Sequence, residues 1–315
     1  MIIFCASDAG PAAYLSIVAN AIKIPFVCVS TERSKPTFEA YNLSSTDFNN
    51  SLFKNNVRIV ICGSTLDKSA AEYKFFAWAN QMSIPSILAI DHWTNFNLRI
   101  QNFKKGVFPN QIWVIDEWSK KSFREMNIKE QLIKVVGNPV LEKFKTIKSN
   151  STTCFDEVIF ISEEIKSSEI DLKPSYGFDE FEVLSRLLLN KPTNLILYIK
   201  PHPSESKEKY QPYLSKVNNV RLLTKKKVDL PAAACYIGMN SILLLELALQ
   251  GRKVYSYRPN AKNEFIGNQL GMTYKLKDIE LIELMGQKKH LNFKINYPEF
   301  KDSLKRILAQ IKLYH

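Results

Sequence analysis

Several features are scarce or missing in this chain, and each absence narrows its class. No apolar run among the 315 residues approaches the ~18–20 needed to span a bilayer. The five cysteines, Cys5, Cys28, Cys62, Cys154 and Cys235, sit in or beside apolar runs and show no CxxC pairing. That excludes a closely spaced zinc site or a disulfide framework and is the pattern of buried thiols in a reducing compartment. No GxGxxG follows a strand pattern, so the dinucleotide fingerprint is missing. No DxD pair of carboxylates occurs, and neither a metal nor another cofactor is expected. The opening MIIFCASDAG lacks the basic start and cleavage signature of a signal peptide. The expectation is a cytoplasmic protein, with peripheral contact on the inner face of the cell membrane left open.

Charge of negative sign is in deficit, with 43 Lys+Arg against 31 Asp+Glu and a net charge of +12. The excess is not gathered into a tail. Residues 1–150 carry 18 basic and 12 acidic side chains, and residues 151–315 carry 25 and 19. Nucleic-acid binding is therefore not expected. A diffuse excess suits an anionic substrate, an anionic membrane face or plain solubility.

What is present is an ordinary globular composition, 45% hydrophobic and 23% charged. The length predicts about two domains of ~150 residues. In the first half, runs rich in Ile and Val alternate with helical patterns. Strands are predicted at IIFCAS (2–7), FVCVS (26–30), RIVICGS (58–64), SILAID (86–91), QIWVID (111–116) and LIKVVGNP (132–139). Helices are predicted at 11–23, 69–82 and 119–127. A polar stretch, KTIKSNSTTCFDE (145–157), reads as the linker. A second series follows, with strands at 158–162, 195–200, 220–223, 235–239 and 253–257 and helices at 178–189 and 241–250. The C-terminal segment has apolar Phe300, Leu304, Ile307, Leu308 and Ile311 at helical spacing. The pattern predicts an α/β chain of two doubly wound Rossmann-like domains facing a central cleft, 1–150 and 151–315, with the C-terminal helix in the second.

In such sheets ligands bind beyond the carboxyl ends of the strands, so the residues at those ends are the candidates. After the first strand, Asp8 and Gly10 stand in the turn SDAGPA, where Gly10 lets a substrate approach the backbone. Asp8 is equally placed to cap the following helix. After SILAID come Asp91, His92, Trp93 and Asn95, polar groups beside an aromatic ring that suit a sugar. Asp91 or His92 is placed to act as a base; an Asp cap with ordinary packing is the plainer account. After VIFIS comes Glu163, beside Glu164, either a site carboxylate or part of a solvated loop. After LILYIK comes KPHP. Pro201 and Pro203 restrict Lys200 and His202 to extended conformations, so His202 is held stiffly at a strand end. That suits a hydrogen-bond donor to a ligand phosphate, and a histidine simply satisfied in a turn is the plainer account. The run CYIGMNSILLLELALQG then reads as strand, turn, helix and Gly251 stop. Ser241 is the expected N-cap, and the free amides of its helix form an anion site beside Asn240. Glu246 lies five residues on, for sugar hydroxyls if it faces the ligand.

KPHP followed by GMNSxLLLELALxG resembles the nucleotide-binding domain of GT-B-type glycosyltransferases. More narrowly, it is similar to bacterial sialyltransferase-like and capsule or lipopolysaccharide transferases, which carry an HP motif and a later Ser/Thr motif. The resemblance implies a GT-B-like fold with acceptor binding in 1–150 and nucleotide-sugar binding in 151–315. It implies contact of His202, Pro203, Asn240 and Ser241 with a nucleotide, commonly CMP. CDP-glycerol-type polymerases carry a similar His-Pro segment. SDAGPA looks like the SDAGGA loop of related polysaccharide enzymes, with Pro11 in place of a glycine. The acidic D/E-D/E-G motif of the sialyltransferase-like group has no clean match, since residues 7–10 offer one carboxylate.

The expected function is a metal-independent, inverting glycosyltransferase. It would move a sugar, such as a nonulosonic acid from a CMP-sugar, to a bacterial surface glycan or its lipid-linked precursor. Asp8, or else Asp91 or His92, would take the acceptor proton; Gly10, Trp93 and Asn95 would bind the acceptor. Lys200, His202 and the Ser241 helix end would hold the leaving phosphate. Two alternatives stand beside it. One is a nucleotide-sugar 2-epimerase or hydrolase of GT-B architecture, which would form product from the donor alone. The other is a non-catalytic subunit of a glycan assembly complex.

Overall fold

The segment Ile2–Ala6 (β1) is apolar at every position, and all five residues are buried. Alternate side chains of a strand point to opposite faces, so this pattern demands cover on both sides of its sheet. A computed structural model of the chain describes residues 1–48, 56–67, 70–101, 103, 107–144, 156–166, 171–202, 205–224, 230–231, 233, 235–281 and 301–314. It divides into two units, Met1–Lys143 with Pro298–His315, and Phe144–Tyr297.

In the first unit β1 is followed by α1 (Ala9–Ala21), β2 (Phe26–Ser30), α2 (Lys35–Ala40), β3 (Ser45–Thr46) and β4 (Ile59–Gly63). Then come α3 (Ala71–Gln81), β5 (Ser86–Ala89), α4 (Phe96–Ile100), β6 (Gln111–Val114), α5 (Glu117–Glu125), β7 (Ile133–Val135) and α6 (Pro139–Phe144). The seven strands form one sheet in the order β3-β2-β1-β4-β5-β6-β7, every pair parallel. Ile2, Phe4 and Ala6 pack with Leu15 and Val18 of α1 on one face. Ile3 and Cys5 pack with Phe75 and Phe76 of α3 and Phe123 of α5 on the other.

The second unit contains β8 (Glu157–Ile161), α7 (Lys173–Tyr176), α8 (Glu180–Leu189), β9 (Ile196–Lys200), α9 (Gln211–Lys216) and β10 (Val220–Leu222). It continues with β11 (Cys235–Gly238), α10 (Ile242–Leu249), β12 (Val254–Tyr257), α11 (Ile266–Gln269) and β13 (Tyr274–Leu276). Its six strands are also all parallel, in the order β10-β9-β8-β11-β12-β13. Val158 and Phe160 of β8 meet Val183, Leu184 and Leu187 of α8 in its core.

The C-terminal helix α12 (Ser303–Lys312) corrects one expectation. It belongs to the first unit, not to the second domain expected at 151–315. Ile307 and Ile311 are 0% and 1% exposed and lie in the core with Ile2, Phe4 and Leu15. Ser303 explains the fit, because a Cβ on Gly137 would stand 2.1 Å from its Oγ. Gly137 also has φ +88°, a backbone angle that glycine adopts without strain. Helical spacing identified the helix and its apolar stripe but held no information on which sheet covers it.

Cys5, Cys28, Cys62 and Cys235 are buried free thiols. Cys154, most of the expected linker and Pro203 lie outside the described residues. Among the described residues no helix is long and apolar enough to cross a membrane.

Candidate functional site

Each sheet reverses its strand order once, between β1 and β4 in the first unit and between β8 and β11 in the second. Such switch points are where open parallel sheets bind ligands. At both, a carboxylate after the first strand of the series reaches the loop after the fourth.

In the first unit that carboxylate is Asp8. Its Oδ2 accepts a hydrogen bond from Thr65 Oγ1 at 2.7 Å, and Arg33 Nη1 stands 3.7 Å from Oδ1. The side chain does not cap α1, so the plain capping account fails. Beneath it, Ser7 gives its backbone N–H to Glu72 Oε1 at 2.7 Å and its hydroxyl to Glu72 Oε2. Glu72 is 1% exposed, and burial holds its carboxyl above the ordinary range.

Asp91 follows β5. Its Oδ1 accepts from Ser64 Oγ at 2.9 Å, and Ser64 Oγ accepts in turn from Arg99 Nη1 at 2.8 Å. Its Oδ2 lies against Gly10: a Cβ there would stand 2.6 Å away. The close approach expected at Gly10 is thus occupied by a protein carboxylate. Asn138 Nδ2 donates to the Asp91 carbonyl at 3.0 Å and fixes the backbone. In neighbouring His92, Nδ1 accepts from Thr94 N at 3.2 Å and meets Thr94 Oγ1 at 2.8 Å. The neutral ring therefore carries its proton on Nε2. Burial pushes the imidazole below its ordinary pKa, while Asp91 pulls it the other way. A carboxylate and a neutral imidazole donor thus stand side by side at one strand end.

Trp93 corrects the expected sugar-stacking surface. It is 1% exposed, and its indole N–H donates to Asp116 Oδ2 at 2.5 Å. Asp116 Oδ1 in turn caps α5 through Ser119 N at 2.6 Å. Trp93 ties β5 to α5 and offers no ring face to a ligand. Asn95 is exposed in a left-handed turn at φ 61° and begins α4.

In the second unit the switch-point carboxylate is Glu163. Both its oxygens accept the backbone N–H of Asn240, at 3.0 and 3.1 Å. Burial pushes its carboxyl up to about 8, against the pull of that bond and of Arg258. The adjacent Glu164 is half-buried. Ser241 caps α10 as expected, accepting from Leu243 N at 3.3 Å. Asn240 Nδ2 and Arg258 Nε are buried with no hydrogen-bond partner among the described residues. Glu246 is 4% exposed within α10. His202 is exposed, and its backbone N–H donates to Glu205 Oε2 at 2.6 Å. Lys200 Nζ turns back to the Pro201 carbonyl at 2.9 Å, and burial lowers its pKa. Among the described residues no cluster of three His, Cys, Asp or Glu is placed to hold a metal ion.

Ser7, Ser64, Thr65, Glu72, Arg99, Glu205 and Arg258 escaped the sequence reading. Each is an ordinary polar residue in a loop or near a helix end, and each has an interaction with a distant segment of the chain. Only Glu205, three residues after His202, had a local signal.

The two parallel-sheet α/β units give the chain a GT-B-like fold, as expected. No family model matches the chain, and no curated protein matches its sequence. Solved structures do match it in fold. A Methanocaldococcus jannaschii UDP-GlcNAc 2-epimerase, in complex with UDP-GlcNAc and UDP, aligns at TM-score 0.65 and 13% identity, over 99% of this chain and 100% of that one. A Neisseria meningitidis UDP-GlcNAc 2-epimerase bound to UDP-GlcNAc aligns at 0.64 and 13%, over 99% and 100%. The Rickettsia bellii UDP-N-acetylglucosamine 2-epimerase aligns at 0.62 and 14%, over 99% and 96%. These neighbours overturn the expected glycosyltransferase with its CMP-linked donor and its acceptor. The resemblance rested on two short segments, His202-Pro203 and Asn240-Ser241, which are too little sequence to separate enzymes of one fold by their sugar chemistry. The acceptor roles given to Gly10, Trp93 and Asn95 fall with the transferase.

Proposed function

We propose that this chain is a nucleotide-sugar 2-epimerase acting on a UDP-linked N-acetylhexosamine. The observation that carries the reading is fold likeness to UDP-GlcNAc 2-epimerases over 99% of the chain. The strand-end groups supply a chemistry consistent with it.

Inverting C2 of such a sugar requires breaking a C–H bond next to the anomeric carbon. Removing that proton as the C1–O bond to the diphosphate breaks leaves a C1=C2 double bond. Returning a proton from the other face and the diphosphate to C1 completes the isomerisation, with atoms and charge in balance. The first unit offers groups for the proton: Asp91, aligned by Ser64 and Arg99, His92 with its Nε2 proton, and Asp8. Taken by itself, the second unit has groups that suit a diphosphate. They are the amide end of α10 behind Ser241, the Asn240 side-chain donor and His202.

The test uses UDP-GlcNAc alone in D₂O, with no acceptor, followed by NMR. The expected result is a C2-inverted sugar, as the nucleotide or released from it, with deuterium at C2. Unchanged UDP-GlcNAc without deuterium, at enzyme and substrate concentrations where UDP-GlcNAc is bound, would overturn the reading.

A further inference from the structure

The loops after β8 and β9 carry Glu163 and His202, and a buried charge cluster joins them. Glu205 Oε2 takes the His202 N–H at 2.6 Å. Its Oε1 accepts from Tyr210 OH at 2.9 Å, Ser162 Oγ at 3.1 Å and Lys209 Nζ at 2.5 Å. Ser162 Oγ and Tyr210 OH meet at 2.5 Å. Lys209 Nζ also donates to Glu180 Oε1 at 2.7 Å. Glu180 Oε2 then accepts the backbone N–H groups of Ile165 and Lys166, at 3.3 and 3.0 Å. Glu180 and Glu205 are 0% and 6% exposed.

Each carboxylate thus holds one functional loop by its main chain, and a single ammonium links the two. Buried carboxylates need a countercharge and full hydrogen bonding to stay ionised. Lys209 provides the charge for both, so loss of Lys209 places like charges near each other, and proton uptake or loop movement must relieve them. Backbone bonds at Ile165, Lys166 and His202 depend on the two carboxylates keeping their places.

We infer that Lys209 is a positioning residue that locks the Glu163 loop and the His202 loop to each other through Glu180 and Glu205. It touches no substrate in this role. It sets where the His202 ring starts and where Glu163 meets Asn240, and the two loops respond as one. The functional consequence, a change in nucleotide affinity, rests on the nucleotide-sugar reading; the mechanical coupling does not.

The experiment is amide hydrogen exchange on the full chain at residue resolution, comparing wild type with Glu180→Gln and Glu205→Gln. Glu180 never touches His202, yet Glu180→Gln should speed exchange of the His202 amide about tenfold. Reciprocally, Glu205→Gln should speed Ile165 and Lys166 by a similar factor. Lys209→Met should loosen all three amides, and Lys209→Arg should restore most of the protection. Exchange in β1 of the first unit should not change, which separates the effect from global unfolding. Changes confined to the loop that the substituted carboxylate holds directly would overturn the proposal, as would Lys209→Met with wild-type protection. If Lys209→Met does not fold, the two Glu→Gln variants decide. UDP binding by calorimetry on the same proteins should weaken about tenfold in Lys209→Met. Wild type that exchanges as described yet binds no UDP would sink the nucleotide-sugar reading and leave the coupling standing.

Discussion

Glu163→Gln isolates the cost of placing a carboxylate at the second switch point. Burial lifts the Glu163 pKa from an ordinary 4.5 to about 8 in the folded protein. A raised folded pKa means that the folded state holds the proton more tightly than the unfolded chain. The stabilisation from that proton is complete below pH 4.5 and is lost as pH rises through 8. Each tenfold difference in proton affinity is worth about 1.4 kcal/mol. Linkage then gives a carboxyl penalty of about 1 kcal/mol at pH 5, about 3 at pH 7 and about 5 at pH 9. The side chain is half-buried, so solvent screening makes these upper bounds. Glutamine keeps an acceptor for the Asn240 amide and cannot ionise. The variant should therefore gain on wild type as pH rises, with any constant offset reflecting the amide's own fit. The assay is urea unfolding at pH 5, 7 and 9, read by pulsed hydrogen exchange of β8 and β11. Tryptophan emission is blind here, because Trp78, Trp93, Trp113 and Trp118 all lie in the first unit. A stability gap that stays flat across this range would refute a carboxyl held protonated by burial. A gap that shrinks with pH would reverse the sign of the argument.

Gly10→Ala should separate activity from stability. Alanine in the first turn of α1 is a better helix former by about 1 kcal/mol, yet its Cβ would stand 2.6 Å from Asp91 Oδ2 and displace that carboxylate. Deuterium incorporation into UDP-GlcNAc should fall at least tenfold with thermal stability unchanged or raised; full activity would remove Asp91 from the proton transfer. Ile307→Ala should cost the first unit about 2–4 kcal/mol, as expected for a truncation at a fully buried site. Tryptophan emission during urea unfolding checks it, and a loss confined to the second unit's exchange would contradict the packing of α12.

Local pattern was enough for the central strands, but not for the short edge strands β3 and β13. IIFCA, IVICG and the VIFI of β8 carry no polar side chain because parallel strands are buried on both faces, and that requirement is written into consecutive residues. The same holds for Ser241, since an N-cap and its helix lie within one short window. The polar candidates at strand ends were legible because topology puts function there, so Asp8, Asp91 and Glu163 stood out without their partners being known. Their partners were not legible. Thr65 reaches Asp8 across 57 residues, Asn240 reaches Glu163 across 77, and Asn138 reaches Asp91 across 47. Trp93 shows the same limit. An aromatic among polar residues reads as a ligand platform until the fold places Asp116 beside its indole nitrogen. The motif His202-Pro203 carried the resemblance to transferases, but so short a segment fixes neither the sugar nor the reaction. The sequence by itself determined the longer strands and helices and the polar residues at their ends, because hydrophobic period and turn chemistry are local; short elements such as α2, α4 and α11 carry too few residues for a period to show. Only the tertiary structure decided which sheet took the C-terminal helix, which carboxylates became buried and which loops share Lys209. Those outcomes depend on contacts between segments far apart in the chain, and no short window of residues carries them.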